Sequence, residues 1–495
     1  MSREIFPRYK ITATAAEFCS TAAMPVPVIS VEQMRAWERA TWATGQTESA
    51  VIARVGEGLA RHALALTQPA DTILLLAGQG HNGDDARAMA AHLSGRVVEQ
   101  INVLEPSLAF TELDAALQRQ PALIVDGLFG LGLTRALSKE WQQLVRRVNE
   151  WRGPVLAVDL PSGLDADTGK PWPESIRATV TVTVGAPKRG LLATLAASFV
   201  GRLEVADDVG LIPCPCASEL QWTLANDFCD WPTPRPTDGH KGTFGHAGIV
   251  AGSLGFHGAA VLAARGAQRA RPGLITLFPQ PEIFAPVAAQ LQAVMAQPWR
   301  EGLDFSKFSA VLFGPGLAAQ NLPRDMRQTL QTLWQTSPAT LVVDASALEW
   351  LPEASGNLPG LRVLTPHPGE AARLLGVTTD MVQQDRPAAL RALSRRFGNA
   401  WIVLKGRHTL VGRAEGEIFV NSSGNNGLAQ GGSGDLLAGY LTGWLAQPAV
   451  LSDPLMALRY AVWEHGAAAD RLGTRRGNWI VEELAEELGA AAPRR

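Results

Sequence analysis

Cysteine is nearly absent from the chain: Cys19, Cys214, Cys216 and Cys229 are the only four in 495 residues. Cys214-Pro215-Cys216 lacks the CxxC spacing of a redox or zinc site, no paired His motif lies nearby, and four scattered cysteines make no disulfide framework. A reduced, cytoplasmic setting is therefore expected. Charge is scarce too: 18% of residues are charged and the net charge is −3, which offers no basic surface to nucleic acid or to an acidic membrane. No apolar run approaches a membrane span, and the opening MSREIFPRYKITATAAEFCSTAA has no continuous apolar core of a secretory signal. A short internal repeat is missing, as is the full G-x-G-x-x-G dinucleotide fingerprint, of which only Gly78 and Gly80 hint after the first strand.

What is abundant is apolar residues, 46% of the chain, enough for more than one buried core; the length suggests about two to four domains. Residues 1–28 read as an N-terminal extension. From Ile29 to about Leu66 the pattern is helical: Ser30 with Gln33 makes a capping box, and Val51, Ile52, Val55, Leu59, Ala63 and Leu66 share one face. Apolar strands then alternate with helices, at Thr72–Leu76, Pro121–Val125, Val155–Val158 and Ala178–Val184. A Pro-rich, aperiodic stretch near 221–236 reads as a linker. The rhythm resumes with strands at Ala247–Val250, Leu274–Phe278, Ala310–Phe313, Leu341–Val343, Val363–Leu364 and Trp401–Leu404. This predicts two α/β domains, 29–220 and 237–495, each with a largely parallel sheet covered on both faces and a ligand at the carboxyl ends of its strands.

The polar clusters fall at those ends. In the first domain Asn82, Asp85, Asp126, Asp159, Ser162 and Asp165 converge without His or Cys, which suits a hard cation or ribose hydroxyls. Asp126 and Asp159 end buried strands, where a carboxylate is costly unless paired, so function is favoured over packing; Asp165 reads as a turn residue. In the second domain Lys405 opens KGRHT as a point charge for phosphate, with a surface lysine as the alternative, and His367 stands between two prolines. The stretch from Gly424 to Gly439, GNNGLAQGGSGDLLAG, sets five glycines ahead of the apolar Leu436-Leu437-Ala438, which looks like a first helical turn. Bare N–H groups there suit an anion. Asp435 would repel that anion, so it reads as a base on a hydroxyl about to receive a phosphoryl group, or else as a helix cap.

In order, AGQGHNGDD, DGLFGLGLTR, AVDLPSGLDADTG and GAPKRG, followed by HKGTFGHAG, AGSLGFHGAA, GPGL, VVDASAL, LTPHPGE, VLKGRHT and GNNGLAQGGSGDLLAG, resemble the bifunctional NAD(P)H-hydrate repair enzymes over nearly everything after about Ile29. The resemblance implies a Rossmann-like N-terminal epimerase domain and a ribokinase-like C-terminal dehydratase domain. It implies interconversion of the R and S hydrates of NADH or NADPH, and ADP-dependent dehydration of the S hydrate with release of AMP and phosphate. Carried over by position, Asp435 is the base, and Lys405, Gly406, Arg407, His408, Thr409 and Gly434 meet the nucleotide. Ala259, Gly316, His367 and Asp435 meet the hydrate, and Mg2+ accompanies ADP. In the first domain Asn82, Asp126 and Ser162 match K+ ligands. His81, Asn82, Gly83, Asp84 and Asp85, with Gly130, Leu131, Gly132, Leu133, Thr134, Arg135 and Ala136, match hydrate contacts. Asp159 matches a substrate-binding carboxylate and is the candidate proton shuttle. A homo-oligomer is expected, with small molecules as the other partners.

Two departures stand out. The family's first loop reads as two Asn, two Gly, Asp and Gly, whereas His81, Asp84 and Ala86 stand here; Ser346 replaces a usual Asp. Competing readings are a ribokinase-like vitamin kinase, and an active dehydratase joined to a non-catalytic binding domain.

Overall fold

Ser30 opens the first helix as its pattern predicts. Its Oγ accepts the Gln33 N–H at 3.2 Å and the Gln33 side chain takes the Ser30 N–H at 2.8 Å, satisfying donors a helix start would otherwise leave bare. Helices α1 (Val31–Trp42) and α2 (Glu48–Leu66) follow. The computed structural model describes residues 25–133 and 135–490, so most of the expected extension, Cys19 and Thr134 lie outside the described residues. Two units divide between Trp222 and Thr223.

The first unit holds six parallel strands: β1 (Thr72–Ala77), β2 (Val97–Asn102), β3 (Leu123–Gly127), β4 (Val155–Val158), β5 (Val180–Val184) and β6 (Arg202–Ala206), in the order β2-β1-β3-β4-β5-β6. Alternation along β1 sorts its side chains into two cores. Ile73, Leu75 and Ala77 join α2 and α3 (His81–Met89) on one face, and Leu74 and Leu76 join α4 (Pro106–Gln118) and α5 (Lys139–Asn149) on the other. The sheet is thus doubly wound. Strand β5 begins at Val180, two residues later than the apolar run suggested, because the Ala178 N–H is taken by the Phe199 carbonyl outside the sheet.

The second unit has nine strands: β7 (His246–Val250), β8 (Leu274–Phe278), β9 (Met295–Ala296), β10 (Ala310–Phe313), β11 (Thr340–Val343), β12 (Arg362–Leu364), β13 (Trp401–Leu404), β14 (Leu410–Gly412) and β15 (Ile418–Val420). Their order is β15-β14-β13-β12-β11-β10-β7-β8-β9, parallel except for β14 and β15, an antiparallel pair that the apolar pattern did not announce. Residues 221–236, expected to be a linker, are not slack chain. Trp222 ends a short strand in the first unit, and Phe228 is 3% exposed inside the core of the second, where its ring packs on Tyr460. Proline content hid these aromatic anchors.

Helices α6 (His257–Ala270), α7 (Pro368–Leu375), α8 (Ser433–Leu445) and α9 (Pro454–Arg475) carry or support the candidate site of this unit. Helices α6 and α8 touch backbone to backbone: a Cβ on Gly439 would stand 1.9 Å from the Ala263 carbonyl oxygen, and one on Gly266 2.1 Å from that of Leu436. No helix among the described residues is long and apolar enough to cross a membrane.

Gly439→Ala should force this helix pair apart and cost about 2 kcal/mol, as overpacking does in a dense core. A thermal midpoint lower by several degrees, with Gly132→Ala as the control, checks it, since nothing lies within 4 Å of a Cβ at Gly132.

Candidate active sites

The polar residues picked out in the first unit gather at the carboxyl edge of β1, β3, β4 and β5. Asn82 sits in the first turn of α3, and its Nδ2 donates to the carbonyls of Phe129 (3.0 Å) and Val158 (2.9 Å). Asp126, fully buried, accepts from Ser162 Oγ at 2.6 Å and Ser162 N at 2.8 Å. Burial nonetheless pushes its carboxyl up to about 6, since these hydrogen bonds only partly offset desolvation. Gly130 lies so close that a Cβ there would stand 3.1 Å from Asn82 Oδ1. Gly130, Leu131 and Leu133 line a cleft of about 110 Å³ with Leu160 and Leu164. Gly132, Arg135 and Ala136 are exposed beside it. Asp165 spends one oxygen on the N–H groups of Asp167 and Thr168 and the Thr168 hydroxyl, which is a turn role.

Asp159 follows β4 with φ +62°, a left-handed conformation that a non-glycine residue adopts at a cost of order 1 kcal/mol or more. Its Oδ1 takes Thr183 Oγ1 and the Val184 N–H at 3.0 Å, and the Nζ of Lys188 at 2.5 Å. Lys188 is 0% exposed. A lysine so buried is held by its partners, and Asp159 is the carboxylate among them. Asp85 lies close by: burial first, then Asp159, raises its carboxyl well above the ordinary range. Glu38 on α1 is likewise raised, by burial above all, and senses Lys188 and Asp159. The 81–86 stretch that departs from the family is helical. Asp84 pairs with Arg87 of the same helix at 2.7 Å, and Ala86 is fully buried against Gly127. The Asp84 charge is still felt by Asp85, and His81 pairs with Glu48 at 2.7 Å.

In the second unit the helix bearing Asp435 begins at Ser433, earlier than the apolar run implied. Its N-cap is Gly432 at φ +92°, without a side-chain cap bond. Asp435 is therefore not a cap. Its carboxylate accepts no hydrogen bond among the described residues, and burial first, then Asp344, raises it to about 6. Lys405 ends β13 and reaches Asp344 Oδ1 at 2.7 Å and Glu370 Oε2 at 3.9 Å. Burial would lower this ammonium, but Asp344 and Glu370 raise it overall. A Cβ on Gly434 would stand 3.4 Å from Lys405 Nζ, so cation and bare helix start face one another. The Gly434 and Asp435 N–H groups lie in the first turn, where no intrahelical acceptor exists.

Around this centre, Arg386 grips the 405–409 stretch. Its guanidinium donates to the carbonyls of Leu404 (3.0 Å), Lys405 (3.3 Å), Arg407 (2.5 Å) and His408 (3.2 Å). Gly406, at φ +133°, and His408, at φ +52°, shape the turn, and Thr409 Oγ1 closes it on the Gly406 carbonyl. Ala259 and Gly316 meet: a Cβ on Gly316 would stand 2.7 Å from that of Ala259. His367 caps α7, its Nδ1 accepting from Gly369 at 3.0 Å and Glu370 at 3.4 Å, while its ring stays half exposed. Sequence reasoning missed Lys188, Glu38, Asp344, Thr365 and Arg386. Asp344 was findable, because it stands at the end of a buried strand as Asp126 and Asp159 do; Arg386 carried no signal, since it opens a helix (Arg386–Arg396), where an arginine ordinarily meets solvent.

The NAD(P)H-hydrate dehydratase family matches residues 247–493, and the YjeF-related N-terminal family matches residues 97–190. The bifunctional NAD(P)H-hydrate repair enzyme Nnr of Gloeobacter violaceus is 35% identical, covering 90% of this chain and 94% of that one. Its Escherichia coli counterpart is 32% identical, covering 92% and 91%. Among solved structures, the ADP/ATP-dependent NAD(P)H-hydrate dehydratase of Bacillus subtilis, co-crystallised with ATP and Mg2+, is 29% identical over 52% of this chain and 92% of that one, at a TM-score of 0.47.

Because Asp435 titrates near 6 when folded and near 3.8 when free, its contribution to stability is full below about pH 4 and lost as pH rises through 6. Asp435→Asn should therefore raise the thermal midpoint by a few degrees at about pH 7.5, with the gain fading as the pH falls below about 5. Equal midpoints at both pH values would overturn that assignment.

Proposed function

The chain belongs to the bifunctional NAD(P)H-hydrate repair enzymes, and from that premise we propose how its two sites divide the work. The enzyme acts on hydrated NADH and NADPH as epimerase and dehydratase. The reading of the second site rests above all on one observation: a carboxylate free of hydrogen bonds, Asp435, beside an uncapped helix start that faces Lys405.

ADP is the phosphoryl donor in this reading. Residues 405–409 hold the nucleotide, and Lys405 with the N–H groups of 431–434 steadies the transferring phosphoryl. Asp435 accepts the proton of the hydrate hydroxyl as its oxygen attacks the β-phosphorus, and AMP departs. The ring nitrogen lone pair then expels phosphate, loss of a proton from the neighbouring carbon restores the double bond, and NADH or NADPH results. Ala259, Gly316 and His367 face the hydrate. Among the described residues no cluster of three or more His, Cys, Asp or Glu could hold a metal, so Mg2+ would come held mainly by nucleotide phosphates and water, where it screens their charge.

The first site is read as the epimerase. A fully buried Asp126 bonded to Ser162, with Ser162 and Asn82 meeting at the Phe129 carbonyl, fits a hard monovalent cation. Asn82, Asp126 and Ser162 would hold K+, which would supply positive charge at the strand ends. Asp159 passes a proton to the carbinol oxygen as water leaves and takes one back as water re-adds to the opposite face of that carbon, and Lys188 holds the carboxylate in place. Residues 81–85 and 130–136 flank the hydrate. The pairing of Asp84 with Arg87 and the burial of Ala86 support a loop that keeps this chemistry.

The purified protein given hydrated cofactor and ADP should restore the reduced-nicotinamide absorbance; no return with ADP or ATP sinks the dehydratase assignment. Asp435→Asn should lower turnover by at least about a hundredfold while nucleotide still binds, and the wild-type rate should climb with pH through about 6. For the first site, Asp159→Ala should slow interconversion of the two hydrates to the uncatalysed rate. An unchanged rate would remove Asp159 from the chemistry.

A further inference from the structure

Helix α9 presents one stripe to the glycine-rich stretch: Trp463, Gly466, Ala469, Asp470 and Gly473 recur at the spacing of one helical face. The Ser423 hydroxyl donates to the Trp463 carbonyl at 2.6 Å. Gly466 lets the strand of loop lie flush, since a Cβ there would stand 2.3 Å from Ser423 Oγ and 2.8 Å from the Gly424 nitrogen. Asp470, 5% exposed, accepts the Gly424 N–H at 2.9 Å and Asn425 Nδ2 at 3.1 Å. Asn425 Nδ2 also donates to the Ala469 carbonyl at 2.8 Å, and its Oδ1 accepts the Gly427 N–H at 2.9 Å. One helix thus anchors the start of the loop.

We propose that Asp470 is a positioning residue for phosphoryl transfer: through Gly424 and Asn425 it fixes the path of the loop whose N–H groups receive the phosphoryl, without touching any substrate. The physical reason is the composition of the loop. Five glycines between 424 and 434 carry more backbone freedom than any other stretch of that length could, and a loop that wanders cannot offer N–H groups in advance. A buried carboxylate makes stronger hydrogen bonds than a neutral acceptor, so it restrains most where restraint is needed. The nucleotide-side turn at 405–409 is held separately, by Arg386. Losing Asp470 therefore acts on the rate of transfer and leaves nucleotide binding alone.

The inference rests on the dehydratase reading above, and the test separates the two. In the full-length protein, Asp470→Ala should lower kcat with ADP by about a hundredfold, the cost of a misplaced catalytic group, while the Kd for ADP stays within about threefold. Amide exchange at 424–435 should speed up at least tenfold by the order of magnitude of a lost loop anchor, with 405–409 unchanged. The swap of Asp470→Asn with Asn425→Asp re-forms the carboxylate–amide contact and should recover about tenfold of the lost rate. Should Asp470→Ala not fold, Asn425→Ser breaks the same contact from the loop side and must give the same split. Unchanged exchange, an unchanged kcat, or parallel losses of kcat, ADP affinity and thermal midpoint without recovery in the swap would overturn the proposal. If wild type itself fails to dehydrate the hydrate while exchange responds as stated, the dehydratase reading falls and the anchoring role stands.

Discussion

One partly buried ammonium organises the second unit. Lys405 stands among Asp344, Glu370 and Asp435, three carboxylates against one cation, at the open end of a helix. Asp344 takes the ion pair and the Thr365 hydroxyl at 2.6 Å, so its charge is satisfied. Asp435 meets burial first and then the repulsion of Asp344, with no hydrogen bond among the described residues, and its carboxyl is pushed up to about 6. The arrangement is stable only while the strand ends stay in register, which the parallel pairing of β11, β12 and β13 ensures. Phosphate chemistry here grows out of unequal sharing of a single positive charge.

The first unit uses the opposite device. Lys188 and Asp159 are paired almost fully, and the residue that carries the carboxylate is held in a left-handed turn. Strain of that kind persists only where the surroundings over-determine it, here through Thr183, Val184 and Lys188 acting on one oxygen. Beside it Asp126 is buried with hydrogen bonds and no cation. Two carboxylates at neighbouring strand ends are thus held differently, one by a lysine and one by the hydroxyl and N–H of Ser162.

Much of this was legible before any coordinates. Fully apolar strands with polar ends announced the doubly wound sheets, and the strand-end rule assembled Asn82, Asp126, Asp159, Lys405 and Asp435 at the right edges. What escaped has a common cause. Lys188, Arg386 and Asp470 act from turns and helix faces, where Lys, Arg and Asp usually mark solvent, and only tertiary packing buries them. The antiparallel β14 and β15 were missed because three-residue strands are too short to show alternation. The local shape of the 81–86 stretch was not legible either. Its sequence looked like an altered ligand loop, yet as a helical turn it sends Asp84 toward Arg87 and Ala86 into the core.

The backbone contact between α6 and α8 has a bearing on motion. Helix α6 begins two residues before Ala259, and α8 begins two residues before Asp435, so both residues ride on one welded pair. A hinge between them has no place to bend, because even a methyl group does not fit in the seam. The two helices move as one body, and flexing at this end of the unit is left to the loops.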